Sequence, residues 1–543
     1  MPPGDLDGSR HSANEPVMRR YTRRAGEGLT AIKSGLELAF FVVGGPGRML
    51  RAVLREPADR RRQRILLIAS LALGVSACAP CSQRPQPPVE EKTDGGGKAP
   101  KIVAAGPSCP VGFGACGEGG ACDVDLDRDD AHCGACGQSC GDGQRCLAGS
   151  CQSGVVQVAA GGSHSCALTA AGQVSCWGLG SLGQLGPGGR AARLRPSPVE
   201  GLADIVQLAL GRDVSCARAR DGRLWCMGDG GLLGRDEPAP NARPQPVSGL
   251  VGAIDVSVSI NHACAVVSDG AVYCWGGNVA GQLGDAGVAD AGSHKAGGNS
   301  SLPMRVRGLG PAWAIATGGA HSCALLRSGQ VACWGDNRFG QLGVPGLDAD
   351  HPHPDPHLLP ELEQVEGLAA GRFHSCARRR DGALFCWGRN RAGQLGLGDL
   401  EERRKPTQLK LPEGLHVAAV AARERQSCAL GRDGQLLCWG DGEGGRLGLG
   451  EDERDRPVPT RLPGLSAVAG VGVGESHGCA LRRDGAMRCF GLGDGRIGDG
   501  SDEARPLPTP VANALAPPAV PPAVPPADAP AVPPAPAEPQ PPK

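Results

Sequence analysis

Short apolar runs recur between residues 154 and 511 and alternate with glycine-rich turns. Examples are "VVQVAAG" at 155–161 and "DIVQLALG" at 204–211. A proline before a valine follows later in the period, as in "PSPV" at 196–199. Runs of this length bounded by glycine turns are typical of strands. The pattern predicts an all-β region with about four short strands in each period of roughly 50 residues, the content of a propeller blade.

Seven pairs of cysteines mark the same region, and the two members of each pair are ten positions apart. The first members advance by 48 to 59 residues from one pair to the next. A fixed inner spacing with a variable outer spacing indicates a rigid repeated unit joined by loops. The pairs are Cys166 with Cys176, Cys216 with Cys226, Cys264 with Cys274, Cys323 with Cys333, Cys376 with Cys386, Cys428 with Cys438, and Cys479 with Cys489.

The inner spacing predicts that each pair staples one hairpin. In "CARARDGRLWC", Arg220, Asp221 and Gly222 suit a three-residue loop with a left-handed glycine. That loop makes 219 and 223 the closing pair, and counting outward places Cys216 opposite Cys226. Alternation makes this a non-hydrogen-bonded pair with Cα atoms ~4.5 Å apart, which a disulfide tolerates.

The repeat as a whole resembles that of the regulator of chromosome condensation family. The match to "G-x-x-H-S-C-A-L … G-x-V-x-C-W-G-x-N-x-x-G-Q-L-G" is closest in repeats four and five. The resemblance implies a seven-bladed β-propeller over residues 154–511. Met227 and Phe490 stand where other repeats have Trp, and Val214 and Gln426 stand where most have His.

Five histidines lie two residues before the first cysteine of their repeat, and they have two interpretations. The favoured one is hydrogen bonding between blades; the other is a ring of metal ligands. Because two repeats lack the histidine, a role that needs the whole ring is disfavoured. The five are His164, His262, His321, His374 and His477.

An export signal precedes the repeats. A basic segment leads into the apolar run 65–75, which is too short to span a bilayer (about 20 residues) but suits a signal peptide. The next residues, "VSAC", resemble the bacterial lipobox, which implies that Cys78 is lipidated and becomes the mature N-terminus. Residues 1–77 are then a leader, for which Met49 is an alternative start; ordinary secretion is the alternative to lipidation. Ala79 favours the outer membrane.

Three further segments complete the predicted organisation. Residues 78–104 form a flexible tether, and residues 512–543 a Pro/Ala-rich disordered tail. Residues 105–153 form a disulfide-rich module that resembles cysteine-rich modules of secreted proteins of myxobacterial type. Its eight cysteines allow 105 connectivities. Cys133 and Cys136 form a CxxC, for which structural pairing is favoured over redox activity.

The composition indicates the type of compartment and argues against one class of partner. Twenty-four cysteines, most of them regularly paired, indicate an oxidising compartment. Residues 1–77 carry an excess of six positive charges and the rest of the chain an excess of six negative charges. A mildly acidic body argues against a nucleic-acid partner, which requires a basic face.

The sequence therefore predicts a cell-envelope lipoprotein whose propeller binds or scaffolds a protein or an envelope polymer. The alternative is a secreted inhibitor of an extracellular enzyme, because some propellers that this repeat resembles inhibit β-lactamases. Nucleotide exchange, the activity of the family's eukaryotic namesake, is not expected of an exported protein. No catalytic constellation stands out, so neither enzyme activity nor a cofactor is expected.

Two long connections, 285–302 and 344–364, each follow a "GQLG" corner and are expected to form the working surface on one rim. His351, His353 and His357, with Asp355, are candidate ligands for a transition metal. A proline-stiffened solvated loop is the favoured alternative, so no metal site is assigned.

Overall fold

The computed structural model describes residues 113–512 except 115, 117–123, 127–128, 142, 238 and 285–297. All of these residues belong to the compact unit Ala99–Lys543. The predicted leader with Cys78, the tether, most of the tail and most of the 285–302 connection lie outside the described residues. Among the described residues, no helix is long and apolar enough to cross a membrane.

Seven four-stranded antiparallel sheets form the propeller, which confirms the predicted fold. Within each sheet the strands are paired in chain order. The first strands of successive sheets contact one another, and those of the seventh and first sheets do so as well. The first strands therefore surround the axis, the fourth strands lie at the perimeter, and the ring is closed.

The strands are grouped here as blades 1 to 7 in chain order. Blade 1 consists of Val155–Ala160, His164–Thr169, Val174–Gly178 and Arg193–Pro198. Blade 2 consists of Ile205–Leu210, Val214–Ala219, Leu224–Gly228 and Asn241–Pro246. Blade 3 consists of Ala253–Val258, His262–Val267, Val272–Gly276 and Ser300–Arg305. Blade 4 consists of Ala312–Thr317, His321–Leu326, Val331–Gly335 and His353–Leu359.

The remaining blades follow the same order. Blade 5 consists of Val365–Ala370, His374–Arg379, Leu384–Gly388 and Arg403–Gln408. Blade 6 consists of Val417–Arg423, Gln426–Gly431, Leu436–Gly440 and Arg456–Arg461. Blade 7 consists of Val468–Val473, His477–Arg482, Met487–Gly491 and Arg505–Pro510. Short 3-10 helices are present at Gly230–Leu232 and Glu443–Gly445.

The hairpin between the second and third strands has the predicted register. In blade 2 the Ala219 N–H donates to the Arg223 carbonyl at 2.9 Å, and Cys216 lies opposite Cys226. Gly222 adopts a left-handed φ of +80°. The turn length thus fixes which side chains oppose each other across the hairpin.

Each of the seven cysteine pairs forms a disulfide within its own hairpin. The bonds join Cys166 to Cys176, Cys216 to Cys226, Cys264 to Cys274, Cys323 to Cys333, Cys376 to Cys386, Cys428 to Cys438, and Cys479 to Cys489. The Cα atoms of each pair are 4.0 to 4.1 Å apart. This separation is slightly shorter than the ~4.5 Å expected of a non-hydrogen-bonded antiparallel pair. The disulfide in each blade therefore forms because its two cysteines face each other across the hairpin.

The hydrophobic core lies between the blades rather than inside them. Trp334 of blade 4 packs on Val266 and Leu283 of blade 3, and Trp177 of blade 1 packs on Leu481 of blade 7. Five tryptophans are fully buried in equivalent positions, at 177, 275, 334, 387 and 439. A blade therefore depends on its neighbours to bury its apolar faces.

The cysteine-rich module adds four short strands: Phe113–Gly114, Val124–Asp125, Arg145–Leu147 and Ser150–Gln152. Its described disulfides are Cys116–Cys136, Cys133–Cys146 and Cys140–Cys151. The two cysteines of the CxxC are therefore bonded to other partners. Cys109 and Cys122 lie outside the described residues.

The module packs at one end of the propeller. Leu147 of the module contacts the core cluster that contains Val155, the first residue of the first blade. Val511, just after the last strand of blade 7, packs on the same cluster. We call this end the module face. The loops that join first to second strands and third to fourth strands emerge at the opposite end, which we call the loop face.

The expectation of a loop over the whole of 344–364 is wrong for residues 353–359. His353–Leu359 is the fourth strand of blade 4, and only the residues on either side of it form connections. Pro354 and Pro356 do not prevent this, because the strand lies at the sheet edge, where proline is tolerated. Leu359 is fully buried and fixes the strand to the blade.

Candidate functional site

Buried histidines connect neighbouring blades through a repeated set of hydrogen bonds. Between blades 4 and 5, His321 Nε2 lies 2.9 Å from Ser375 Oγ, and Ser375 donates to the Gln341 carbonyl at 3.0 Å. Trp387 Nε1 donates to the same carbonyl at 2.8 Å. Because the serine hydroxyl hydrogen is used on the carbonyl, Nε2 carries the histidine's proton and donates it to the serine. The Gln341 carbonyl, in the "GQLG" corner of blade 4, thus receives the hydrogen bonds that a buried carbonyl requires.

All five predicted histidines make this contact. His164, His262, His374 and His477 reach Ser215, Ser322, Ser427 and Ser165, each at 2.8 Å. Burial lowers the pKa of His164, His262 and His374 to about 3 and that of His321 to about 4. The rings are therefore neutral, and each Nε2 is occupied by a serine.

Where the histidine is absent, the serine is absent too. Val214 of blade 2 packs in one cluster with Ala263, which occupies the serine position of blade 3. Gln426 of blade 6 donates instead to the Gly474 carbonyl at 2.7 Å, and Gly478 occupies the serine position of blade 7. Each departure changes both partners together, so no buried hydroxyl is left without its donor.

An arginine spans the central channel near the loop face. Arg423 ends the first strand of blade 6, and its Nη1 donates to the Leu210 carbonyl at 2.8 Å and the Val258 carbonyl at 3.2 Å. These carbonyls belong to the first strands of blades 2 and 3. Burial lowers the pKa of Arg423 from its usual value. The side chain connects blades from opposite sides of the ring.

The loop face contains a cleft of about 650 Å³ across blades 4 to 7. Two phenylalanines, Phe339 and Phe373, meet edge to face with centroids 5.1 Å apart. The guanidinium of Arg389 lies 4.6 Å from the Phe339 ring and 5.4 Å from the Phe373 ring. The guanidinium carbons of Arg338 and Arg372 lie 5.7 and 5.2 Å from the centroid of the Phe373 ring. We call these five residues and the adjoining wall the Arg–Phe cleft.

The wall of the cleft consists of Glu424, Arg425, Arg446, Glu475 and Ser476. Both of its glutamates form ion pairs: Glu424 with Arg372 at 3.3 Å, and Glu475 with Arg212 at 3.0 Å. These pairs join loops of different blades. Such half-exposed pairs each contribute little to stability, but they fix the positions of the loops.

The remaining arginines of the cleft differ in their partners. Arg338 pairs with the buried Asp336 at 2.9 Å, and Arg425 pairs with the buried Asp441 at 2.6 Å. Arg389 has no ion-pair partner among the described residues, and its Nε is buried without a hydrogen bond. Burial and the neighbouring Arg391 lower the pKa of Arg389. Glu402 attracts this guanidinium from beyond ion-pair distance. The cleft therefore holds one guanidinium without an ion pair among the described residues.

Two of the candidate metal ligands lie close together, since the rings of His353 and His357 have centroids 5.6 Å apart, but the described residues contain no group of three ligands among the candidates. His351 Nδ1 lies 3.3 Å from Asp348 Oδ1. His353 Nε2 donates to the Asp348 carbonyl at 3.0 Å, while His357 lies opposite Cys333 on the neighbouring strand. In the described part of the chain, the only group of three potential metal ligands is Cys133, Cys140 and Cys151, and all three are in disulfides.

Sequence reasoning missed the Arg–Phe cleft, although a signal was present. At the loop between first and second strands, blades 1 and 4 carry Gly162 and Gly319, whereas blade 5 carries Arg372 and Phe373. Aligning this position across the repeats would have separated loops that carry charged and aromatic residues from loops that carry glycine.

Comparison with known proteins gives matches to the propeller. The yeast Prp20p structure, described for its binding to Gsp1p and histones, aligns with a TM-score of 0.56 and 26% identity, over 63% of this chain and 86% of that one. Human WBSCR16 aligns with a TM-score of 0.54 at 23% identity, over 62% and 94%, and supports the fold alone.

Curated relatives match by sequence over about a third of the chain. The Arabidopsis thaliana ultraviolet-B receptor UVR8 is 35% identical over 36% of this chain and 44% of its own length. The probable mouse E3 ubiquitin-protein ligase HERC4 is 35% identical over 36% and 19%. The chain thus spans less than half of each. A profile of the RCC1-like domain matches residues 111–477, more than half of the chain, and the chain therefore belongs to the RCC1-like domain family.

Proposed function

We propose that this protein is a lipid-anchored protein of the cell envelope, in the outer membrane, whose propeller binds a partner protein through the loop face. The observation that carries the binding role is the Arg–Phe cleft on that face, while the proposed anchor rests on the sequence "VSAC" that ends at Cys78. Arginine and aromatic side chains are the residue types that contribute most to protein–protein binding. Here they are clustered and partly exposed rather than buried in the core.

The position of the cleft suits an anchored binder. The N-terminal chain joins the propeller at the module face, through the strand Ser150–Gln152. An anchor at Cys78 would be connected along the chain to this end of the propeller, and the cleft lies at the other end. Binding of proteins by a relative, as in the yeast protein described with Gsp1p and histones, supports the same role.

A binding role is favoured over catalysis because the carboxylates of the cleft and the buried histidines already have partners within the protein. The carboxylates of the cleft are held in ion pairs with arginines. The buried histidines are neutral and donate to serines in the blade interfaces. None of these groups is placed as a general base beside a nucleophile, the arrangement that acid–base catalysis requires.

Fractionation of cells tests the anchor. The wild-type protein is expected in the membrane pellet and in the detergent extract, and the Cys78→Ser variant in the soluble fraction. A Cys78→Ser protein that remains in the pellet would contradict the lipid anchor.

Affinity capture tests the binding role separately. The tagged Cys78→Ser protein is incubated with detergent-solubilised envelopes, and a retained protein at near-equal stoichiometry is expected. A chain of the same length with the loop-face arginines changed to glutamine serves as the control. Equal retention by that control would move the binding surface away from the loop face.

A further inference from the structure

We infer that the Arg–Phe cleft receives an acidic peptide segment of the partner, with one carboxylate on Arg389 and an apolar side chain against Phe339 and Phe373. This inference rests on the proposed protein-binding function and specifies the chemistry of the partner. It follows from three properties of the cleft: a guanidinium without an ion pair, an aromatic floor formed by Phe339 and Phe373, and a wall of mixed charge.

The first property is the charge of Arg389. Arg338, Arg372 and Arg425 each have a carboxylate partner at 3.3 Å or less, whereas Arg389 has none among the described residues. Its Nε–H is buried, whereas its two Nη groups are not among the buried atoms. A carboxylate from outside can therefore reach the Nη groups, and a planar guanidinium binds a carboxylate through two parallel hydrogen bonds.

The second property is the rigidity of the aromatic floor, which Phe339 and Phe373 form. The Arg389 guanidinium carbon lies 4.6 Å from the centroid of Phe339 and 5.4 Å from that of Phe373, so both rings restrict the guanidinium before a ligand arrives. Less side-chain entropy is then lost on binding. The two rings are partly exposed beside the guanidinium. An aromatic or branched aliphatic residue next to the acidic residue would cover them.

The third property discriminates between anions. Glu424 and Glu475 line the same cleft as the arginines. A polyphosphate chain or an anionic membrane presents a continuous row of negative charges, which these two glutamates repel. Such ligands need a uniformly basic face. A peptide carries its carboxylates singly, and its own backbone N–H groups or a basic residue can face the glutamates.

Fluorescence anisotropy tests the inference with the full-length Cys78→Ser protein, which needs no membrane. The probe is a short fluorescein-labelled peptide that alternates glutamate with phenylalanine, and the same peptide with lysine for glutamate is its control. We expect saturable binding of the acidic peptide alone. Arg389→Gln should weaken it at least about tenfold, because it removes a charged hydrogen-bonding group.

The matched control is Arg391→Gln. Arg391 lies two residues further on, is 71% exposed and pairs with Glu402 at 3.7 Å outside the cleft. Its loss should leave peptide affinity unchanged within about twofold. Arg389→Lys, which retains the charge but not the planar fork, should fall between the wild type and Arg389→Gln. Thermal unfolding of each variant shows that the propeller is intact.

Three results would overturn the inference: no binding of the acidic peptide by the wild type, equal binding by Arg389→Gln, or equal competition by oligothymidylate or phosphatidylglycerol vesicles. The last would assign the cleft to polyanions. Failure here leaves the proposed function open to its own test, since the fractionation of Cys78→Ser and the envelope capture do not depend on Arg389 alone.

Discussion

His477 Nε2 lies 2.8 Å from Ser165 Oγ, although the two residues are 312 positions apart. Ser165 in turn donates to the Arg496 carbonyl at 3.1 Å, and Trp177 donates to the same atom at 3.0 Å. This contact joins the last blade to the first by the same hydrogen bonds that join blades 4 and 5. Blades 7 and 1 therefore close the ring with the same type of contact that joins other neighbouring blades.

Loss of this contact should destabilise the propeller. Ser165→Ala removes the acceptor of the buried His477 N–H, and we expect about 1–3 kcal/mol lower free energy of unfolding. Combining it with His477→Val reproduces the pair that the chain itself has at Val214 and Ala263. The double variant should lose less than the sum of the single variants. Denaturant unfolding of the four proteins measures this, and additive losses would contradict the coupling.

The histidines should make the fold sensitive to acid. Burial lowers the pKa of His374 to about 3 in the folded state, against about 6.5 in the unfolded state. The unfolded state therefore binds the proton first, so stability is fully present above about pH 6.5 and falls as the pH decreases toward 3. At pH 4.5 the loss is about 2–3 kcal/mol per histidine.

His374→Gln isolates this effect, because glutamine is the residue that blade 6 carries at the same position, Gln426. The variant should show a slope of unfolding free energy against pH that is smaller by about 1.4 kcal/mol per unit between pH 6 and 4. Above pH 7 its slope should equal that of the wild type. An unchanged slope at acidic pH would mean that His374 titrates normally.

Each hairpin disulfide should contribute separately to stability. Replacing Cys323 and Cys333 by serine removes a cross-link between residues ten positions apart. On the loop-entropy account this costs about 2–3 kcal/mol, and full reduction should cost several times more. Mass spectrometry of unreduced peptides should find every first cysteine bonded to the one ten positions later. A bond between cysteines of two blades would contradict this register.

Sequence reasoning was most reliable where local geometry decides the result. The three-residue turn around Gly222 determines that Cys216 and Cys226 face each other, and no distant residue can change this count. The histidines were predictable for a related reason: they recur at one position of a stacked repeat, so their partners must belong to the next blade. His321 and Ser375 satisfy that expectation.

The Arg–Phe cleft could not be derived in the same way. Arg389 and Phe339 come from loops of different blades, and their separation depends on how those blades pack. The outer strand of blade 4 was missed because a long connection precedes it and because "HPHPDPH" has two prolines among its strand positions. Edge position, which permits proline, becomes evident only in the assembled sheet.

This correction changes what can be removed from the 344–364 segment. Deleting all of it should unfold blade 4, since Leu359 and Leu362 are 1% and 0% exposed and belong to the core shared with Trp387. Loss of one buried leucine alone costs about 2–5 kcal/mol.

Replacing only 345–351 by a Gly-Ser bridge removes the hydrogen bonds that Asn337 donates to the Leu347 and Asp348 carbonyls. That replacement should cost only about 1–2 kcal/mol. Secreted yield and melting temperature distinguish the two deletions, and equal stability of both would show that His353–Leu359 is dispensable.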